Sequence, residues 1–83
     1  MKLFLGQIVI AKTHPGANNG ADEAPAVVTR IWNMTDDCCM ANLSVFADVS
    51  GRMDPMSSVN VHPTREAAEA SGETRFAWAM QIV

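Results

Sequence analysis

The sequence predicts a mainly β fold: a small SH3-like open barrel, or an antiparallel sheet, of about five strands with one short helix. Three observations carry that expectation. Apolar and β-branched runs at residues 24–32, 40–49 and 57–61 recur between turn residues at a spacing of roughly ten. Only residues 64–71 (TREAAEAS) have a helix-forming composition, enough for one or two turns. A chain of 83 residues makes one domain, 1–83, with one small core.

Each element has its own reason. Residues 4–12 read as the first strand, with Ile8 and Ile10 on one side and Gln7, Val9 and Ala11 on the other. Residues 13–23 (THPGANNGADE) form a loop rich in Gly, Asn and Pro, about twice the usual hairpin length. Pro25 opens the second strand, residues 26–32, and residues 33–37 (NMTDD) connect it to the third. In the third strand, residues 40–46, Ala41, Leu43 and Val45 alternate with Asn42, Ser44 and Phe46. Residues 48–51 form a turn in which Gly51 takes a positive φ. Residues 52–61 make a fourth strand, an edge in its first half because of Pro55, with Val59 and Val61 on one face. Thr64 caps the helix and Gly72 closes it. Residues 76–83 are the last strand, with Trp78, Met80 and Ile82 on one face.

Composition narrows the function classes. The formal charge is −3, and the six basic residues are dispersed between Lys2 and Arg75. That argues against general nucleic-acid binding, which needs a clustered positive footprint. One or two Arg still suffice for a small ligand with one or two phosphates. The apolar N-terminal stretch is too short and interrupted for a signal peptide, and no run has the length of a membrane span. Cys38 and Cys39 are adjacent, so they read as reduced thiols, and two ligands are too few for zinc. The six Met are read as adaptable core filler, with a plastic contact surface as the alternative.

No catalytic or metal-ligating set is assigned, and no cofactor is expected. His14 and His62 both precede loop prolines without an acidic neighbour at dyad spacing, and Asp36-Asp37 reads as a solvated turn. The chemistry that stands out lies on the central strands. If Val27 and Ile31 face the core, Arg30 and Trp32 face outward together. Asn42, Ser44 and Phe46 then lie beside them on the next strand, and Ser58 on the one after. One cation, two aromatics, an amide and hydroxyls are the chemistry that clamps a flat ring near a phosphate. The same face packed by a subunit or by the C-terminal segment is the alternative. Asn18 and Asn19 are expected to border this site from the long loop, reading a ring edge or a ribose hydroxyl.

The ordered string APAVVTRIW, ANLSVFADVSG, SSV resembles a family of short proteins encoded by tailed bacteriophages. The matching residues are Pro25, Ala26, Val28–Trp32, Asn42, Leu43, Val45, Phe46, Asp48, Ser58, Val59 and Trp78. Here the hairpin turn is longer than the family's Asp-Gly, and the segment after Trp78 lacks its Trp-Pro-x-Arg ending. The resemblance covers a little under half of the chain. It implies a small β fold, expression in the cytoplasm of an infected bacterium and an accessory role. The trade that suits these residues is sequestration of a small nucleotide-type immune signal, a cyclic nucleotide or an ADP-ribose derivative, between subunits of a homo-oligomer. The other reading is a protein-binding module that inhibits a host protein or serves as a minor virion or adaptor protein. A surplus of apolar residues, including Phe4, Phe46, Phe76, Trp32, Trp78 and the Met residues, is the motive for expecting the homo-oligomer.

Overall fold

Five strands and one short helix close into a barrel of strand order β1-β2-β3-β4-β5 in the computed structural model, which describes residues 1–49 and 52–80. The strands are β1 (Ile8–Lys12), β2 (Glu23–Met34), β3 (Cys39–Val45), β4 (Asp54–His62) and β5 (Phe76–Ala79), with α1 (Arg65–Ala70) between the last two. The fold is mainly β, as the pattern predicts, but the sheet is closed and mixed. β1 to β4 form an antiparallel meander, α1 carries the chain across, and β5 returns parallel to β4 and antiparallel to β1. A helical crossover is what a parallel pair requires, whereas a tight hairpin can join only antiparallel neighbours.

The core follows the two-residue period. Val9 and Ala11 from β1, Ala24, Ala26 and Val28 from β2, and Cys39, Ala41, Leu43 and Val45 from β3 point inward, with Val59 and Val61 from β4 and Ala77 from β5. Small residues at so many inward positions let a five-stranded barrel close without a lumen. A second cluster lies outside the barrel wall, where Ala68 of α1 covers Phe76 and Trp78, with Ile10 packed against them. Phe76 and Trp78 are therefore buried within one chain and drop out of the apolar surplus. Burial pushes the Cys39 thiol up, with Cys38 beside it adding to the shift, so it stays protonated.

Several boundaries differ from the expected ones. The first strand starts at Ile8 because the chain turns at Leu5-Gly6, where Gly6 has φ +85° and the Gln7 N–H donates back to Phe4 O at 3.1 Å. The second strand begins at Glu23 and runs through Met34, taking residues assigned to both flanking connections. Thr35 then makes the turn, its hydroxyl accepting from the backbone N–H groups of Asp37 and Cys38. Thr64 caps α1 by accepting from Ala67 N at 3.1 Å, and Gly72 follows it with φ +78°. The expectations for Gly51 and Ile82 fall outside the described residues. The expectation of core filler holds for Met56, which is buried, but not for Met34, Met40, Met53 and Met80, which are exposed.

The long loop contains a 3-10 turn, Pro15–Ala17, and is organised by Asn18. That side chain is 1% exposed. Its Nδ2 donates to Thr13 Oγ1, Ala21 O and Glu23 O at 3.1, 3.2 and 3.0 Å, and its Oδ1 accepts from Asp48 N. Every hydrogen-bonding position of the carboxamide that the loop needs is filled by the protein itself, so Asn18 ties the loop to the β3–β4 turn and is not available to a ligand. Asn18→Ala is expected to destabilise the fold by about 2 kcal/mol, because buried backbone groups lose their partners. A urea denaturation midpoint equal to that of the parent protein would contradict this.

Candidate functional site

The outer face of β2, β3 and β4 is shaped by three breaks in the two-residue period. Along β2, Val28 pairs with Leu43 and Arg30 with Asn42, leaving Thr29 as an extra residue. Ile31 pairs with Ala41 and Asn33 with Met40, leaving Trp32 as a second extra residue. On β4, Met56 opposes Leu43 and Val59 opposes Ala41, so Ser57 and Ser58 together face Asn42. Each is a β-bulge, which bends its strand and re-aims the side chains beside it. The bulge at Thr29 turns Arg30 outward although Val28, two residues earlier, lies in the core. Arg30 and Trp32 do face out together, but Val28 and not Val27 is the core residue.

Asn42 stands where the breaks meet. Its Oδ1 accepts from Trp32 Nε1 at 2.8 Å, from Ser58 N at 2.8 Å and from Ser57 Oγ at 3.4 Å. Its backbone carbonyl accepts from Thr29 Oγ1 at 3.1 Å. Ser58 is held at φ +54°, a left-handed conformation unusual for a residue with a side chain. The Arg30 guanidinium lies 3.8 Å from the Trp32 ring centroid, so one indole face is already covered by a cation. Trp32 remains 47% exposed, and Met40, which pairs with Asn33 on the outer face, is also exposed.

Of the expected site residues, Arg30, Trp32, Asn42 and Ser58 come together. Ser44 lies two positions along β3 from Asn42, between Val27 and Pro55, on the same outer face. Phe46 sits past the end of β3, about 13 Å from Asn42 along the strand direction, and its N–H is bound to Pro25 O. Asn18 and Asn19 are not part of this cluster. Their loop enters β2 at Glu23, seven residues before Arg30, a separation of about 23 Å along a strand. Asn19 donates to Asp48 Oδ2 at the loop end of the barrel.

A pairing that the sequence does not announce lies across the crossover. His62 Nε2 and Glu73 Oε1 are 2.7 Å apart, and Asn60 donates to the other carboxylate oxygen. β4 supplies Asn60 and His62, and the segment between α1 and β5 supplies Glu73, so the contact pins the exit of the helix to the strand it left. Among the described residues no side-chain hydroxyl or thiol is hydrogen-bonded to the His62 ring. Burial alone would raise the Glu73 carboxyl, but hydrogen bonds from His62, Asn60 and Ser71 outweigh it and hold the group below its ordinary range. Among the described residues no cluster of three or more His, Cys, Asp or Glu side chains is placed to hold a metal ion.

Comparison with protein-family models, curated proteins and solved structures finds no match. What the outer face does must therefore be read from its own chemistry.

Two outcomes follow. Asn42→Ala leaves the Trp32 indole N–H and the Ser58 amide without their shared acceptor and is expected to cost about 1–2 kcal/mol, whereas Asn42→Asp keeps the acceptor and loses less; equal losses in denaturant titration would contradict the assignment. For Glu73 the folded carboxyl is depressed, so its contribution is present above the unfolded value and disappears as pH falls through the folded one. Stability should therefore drop on acidification below about pH 4.3, and Glu73→Gln should flatten that limb. A parallel fall in parent and variant would rule the contact out as its source.

Proposed function

We propose that this chain is a non-catalytic binding module whose contact surface is the outer sheet face centred on Trp32. The observation that carries the reading is the Trp32 side chain itself. It is half-exposed, locked in orientation by Asn42, stacked under Arg30 and accompanied on the outer face by exposed Met40. Trp, Arg and Met are the residue types enriched at protein interfaces, and a pre-oriented aromatic anchor loses little conformational entropy on binding. Three clefts of the described surface are lined by other residues. A nucleotide ring would need a concave site, and none of these clefts includes Trp32. The face therefore supports a protein partner better than a sequestered nucleotide.

The resemblance to short tailed-phage proteins supports an accessory role inside an infected bacterium, with a host or virion protein as the partner. Self-association belongs to the same proposal. Phe4 and Leu5 are each 66% exposed, and Phe4 lines an apolar cleft with Ile8 and Met80. Light scattering at micromolar concentration should report more than one chain per particle, and a monomer would remove self-association from the proposal.

Affinity purification from infected cells tests the main reading. A stoichiometric protein should co-purify with the parent chain, and Trp32→Ala should weaken its binding by at least about 30-fold, the effect of losing an interface hot spot. Release of a small nucleotide on heating, with no protein partner and with loss of that nucleotide in Arg30→Ala, would replace this reading with sequestration.

A further inference from the structure

The loop end of the barrel holds a cleft that the Trp32 face does not share. β5 pairs only with Asn60, Val61 and His62 of β4, so the first half of β4, with Pro55 and Met56, has no strand beside it there among the described residues. The opening has two adjoining lobes, of about 180 and about 390 Å³, and Lys12, Thr13, His14, Met56 and Arg75 line both. Their combined size suits a compact organic molecule, not a macromolecule.

The charges of this cleft are unevenly committed. Lys12 Nζ is 3.2 Å from Asp22 Oδ2. Asp54, which also lines the cleft, is engaged by Arg52 at 2.8 Å. Among the described residues Arg75 has no such counter-ion. Among the described residues its one hydrogen bond is from Nη2 to Ser57 O at 3.5 Å, the long limit for such a contact. A guanidinium has five N–H donors in a fork that matches an oxyanion, so most of the Arg75 donor capacity is open. In a chain of net charge −3, this places one uncompensated cation in a cleft.

His14 adds a directed donor. Its Nδ1 accepts the Gly16 N–H at 3.0 Å, which fixes the neutral ring as the Nε2–H tautomer. Gly16 eases that approach, since a Cβ there would lie 3.1 Å from Nδ1, tighter than an ordinary contact. The ring is thus held in place by the loop that Asn18 ties down, with its remaining N–H free to donate.

We propose that this cleft binds a small organic oxyanion, whose phosphate or carboxylate head is held by Arg75 and the His14 Nε2–H while its apolar body lies against Met56. The long loop is then the wall of a ligand site, at the end of the barrel opposite to the one its Asn residues suggest. Phosphate and carboxylate share the recognising chemistry, so three probes with the same ring separate the possibilities: phenyl phosphate, benzoate and phenol.

Each is titrated into the uniformly ¹⁵N-labelled full chain. The expected result is saturable shifts at the Thr13, His14, Met56 and Arg75 amides with at least one of the two anions, at a Kd of about 1 mM or tighter, and none with phenol. Stronger binding of phenyl phosphate assigns a phosphate head, and stronger binding of benzoate a carboxylate head. Arg75→Gln should weaken binding at least about tenfold, and Arg75→Lys should recover part of the loss. Equal shifts with phenol, shifts confined to Arg30, Trp32 and Asn42, or an Arg75→Gln variant that binds as well as the parent would each overturn the proposal. So would the absence of saturation at about 10 mM of either anion. The contrast among probes on the parent protein needs no variant, so it stands even where Arg75→Gln does not fold.

Discussion

One carboxamide oxygen organises the exposed half of this barrel. A bulge leaves an extra residue and an unpaired backbone group, and three of them on neighbouring strands would ordinarily loosen a small sheet. Here Asn42 Oδ1 receives the Trp32 indole N–H and the Ser58 backbone N–H, while the Asn42 carbonyl takes the Thr29 hydroxyl. One backbone group displaced from the ladder, the Ser58 N–H, and the side chains of the two extra residues on β2 are thus bonded to the single residue that the bulges surround. Asn42 holds both Ser58, with its left-handed backbone, and the indole that the bulge turns outward, and the Arg30 guanidinium stacks on that indole. Individually such bonds contribute about 1 kcal/mol. Their effect here is to replace a flexible bulged surface with one fixed arrangement, which is what a contact surface needs to avoid a large ordering cost on binding.

The opposite end is set by a different constraint, the shortness of β5. Four residues are enough to close the barrel against β1 and the end of β4, but not to cover the start of β4. The crossover compensates on the outside. α1 lays Ala68 over Phe76 and Trp78, Arg65 reaches Glu23 at 2.7 Å and Glu69 at 2.8 Å, and Glu73 is bound by His62 and Asn60. Half-exposed ion pairs such as those of Arg65 add little singly. Together with the apolar cover they fix the return strand, and the uncovered stretch of β4 becomes the floor of the cleft under Arg75. Two distinct surfaces therefore follow from one topology: a convex aromatic face where the sheet is bulged, and a concave cationic one where it is incomplete.

Much of the fold was legible because it obeys a period of two. Val9 and Ala11, Ala41, Leu43 and Val45, and Val59 and Val61 are inward as alternation requires, and the Thr64 and Gly72 signals bracket the helix. The parallel return was legible too, since a helix between two strands implies a crossover, but the antiparallel expectation did not use it. The bulges were not legible. Alternation carried through β2 puts Val28, Arg30 and Trp32 on one side, and only an extra residue at Thr29 separates the first from the other two. The outward Arg30–Trp32 pair was reached with Val27 in the core, where the structure has Val28. The role of Asn18 was not legible for another reason: Asn amides suit ligands and structural caps equally, and burial decides between them. Asn18 is buried and saturated. His62–Glu73 and the Lys12–His14–Arg75 cleft join residues far apart in sequence, and no local pattern signals such meetings.

The most direct test of the central role of Asn42 is amide and indole hydrogen exchange followed by NMR on the parent chain and on Asn42→Ala. The account predicts that the Ser58 amide and the Trp32 indole N–H, both on the exposed side of the sheet, exchange slowly in the parent and rapidly in the variant, while the amides of Val9 and Val61 in the barrel core keep their protection. Rapid exchange of both groups in the parent protein, or protection that survives removal of Asn42, would contradict it.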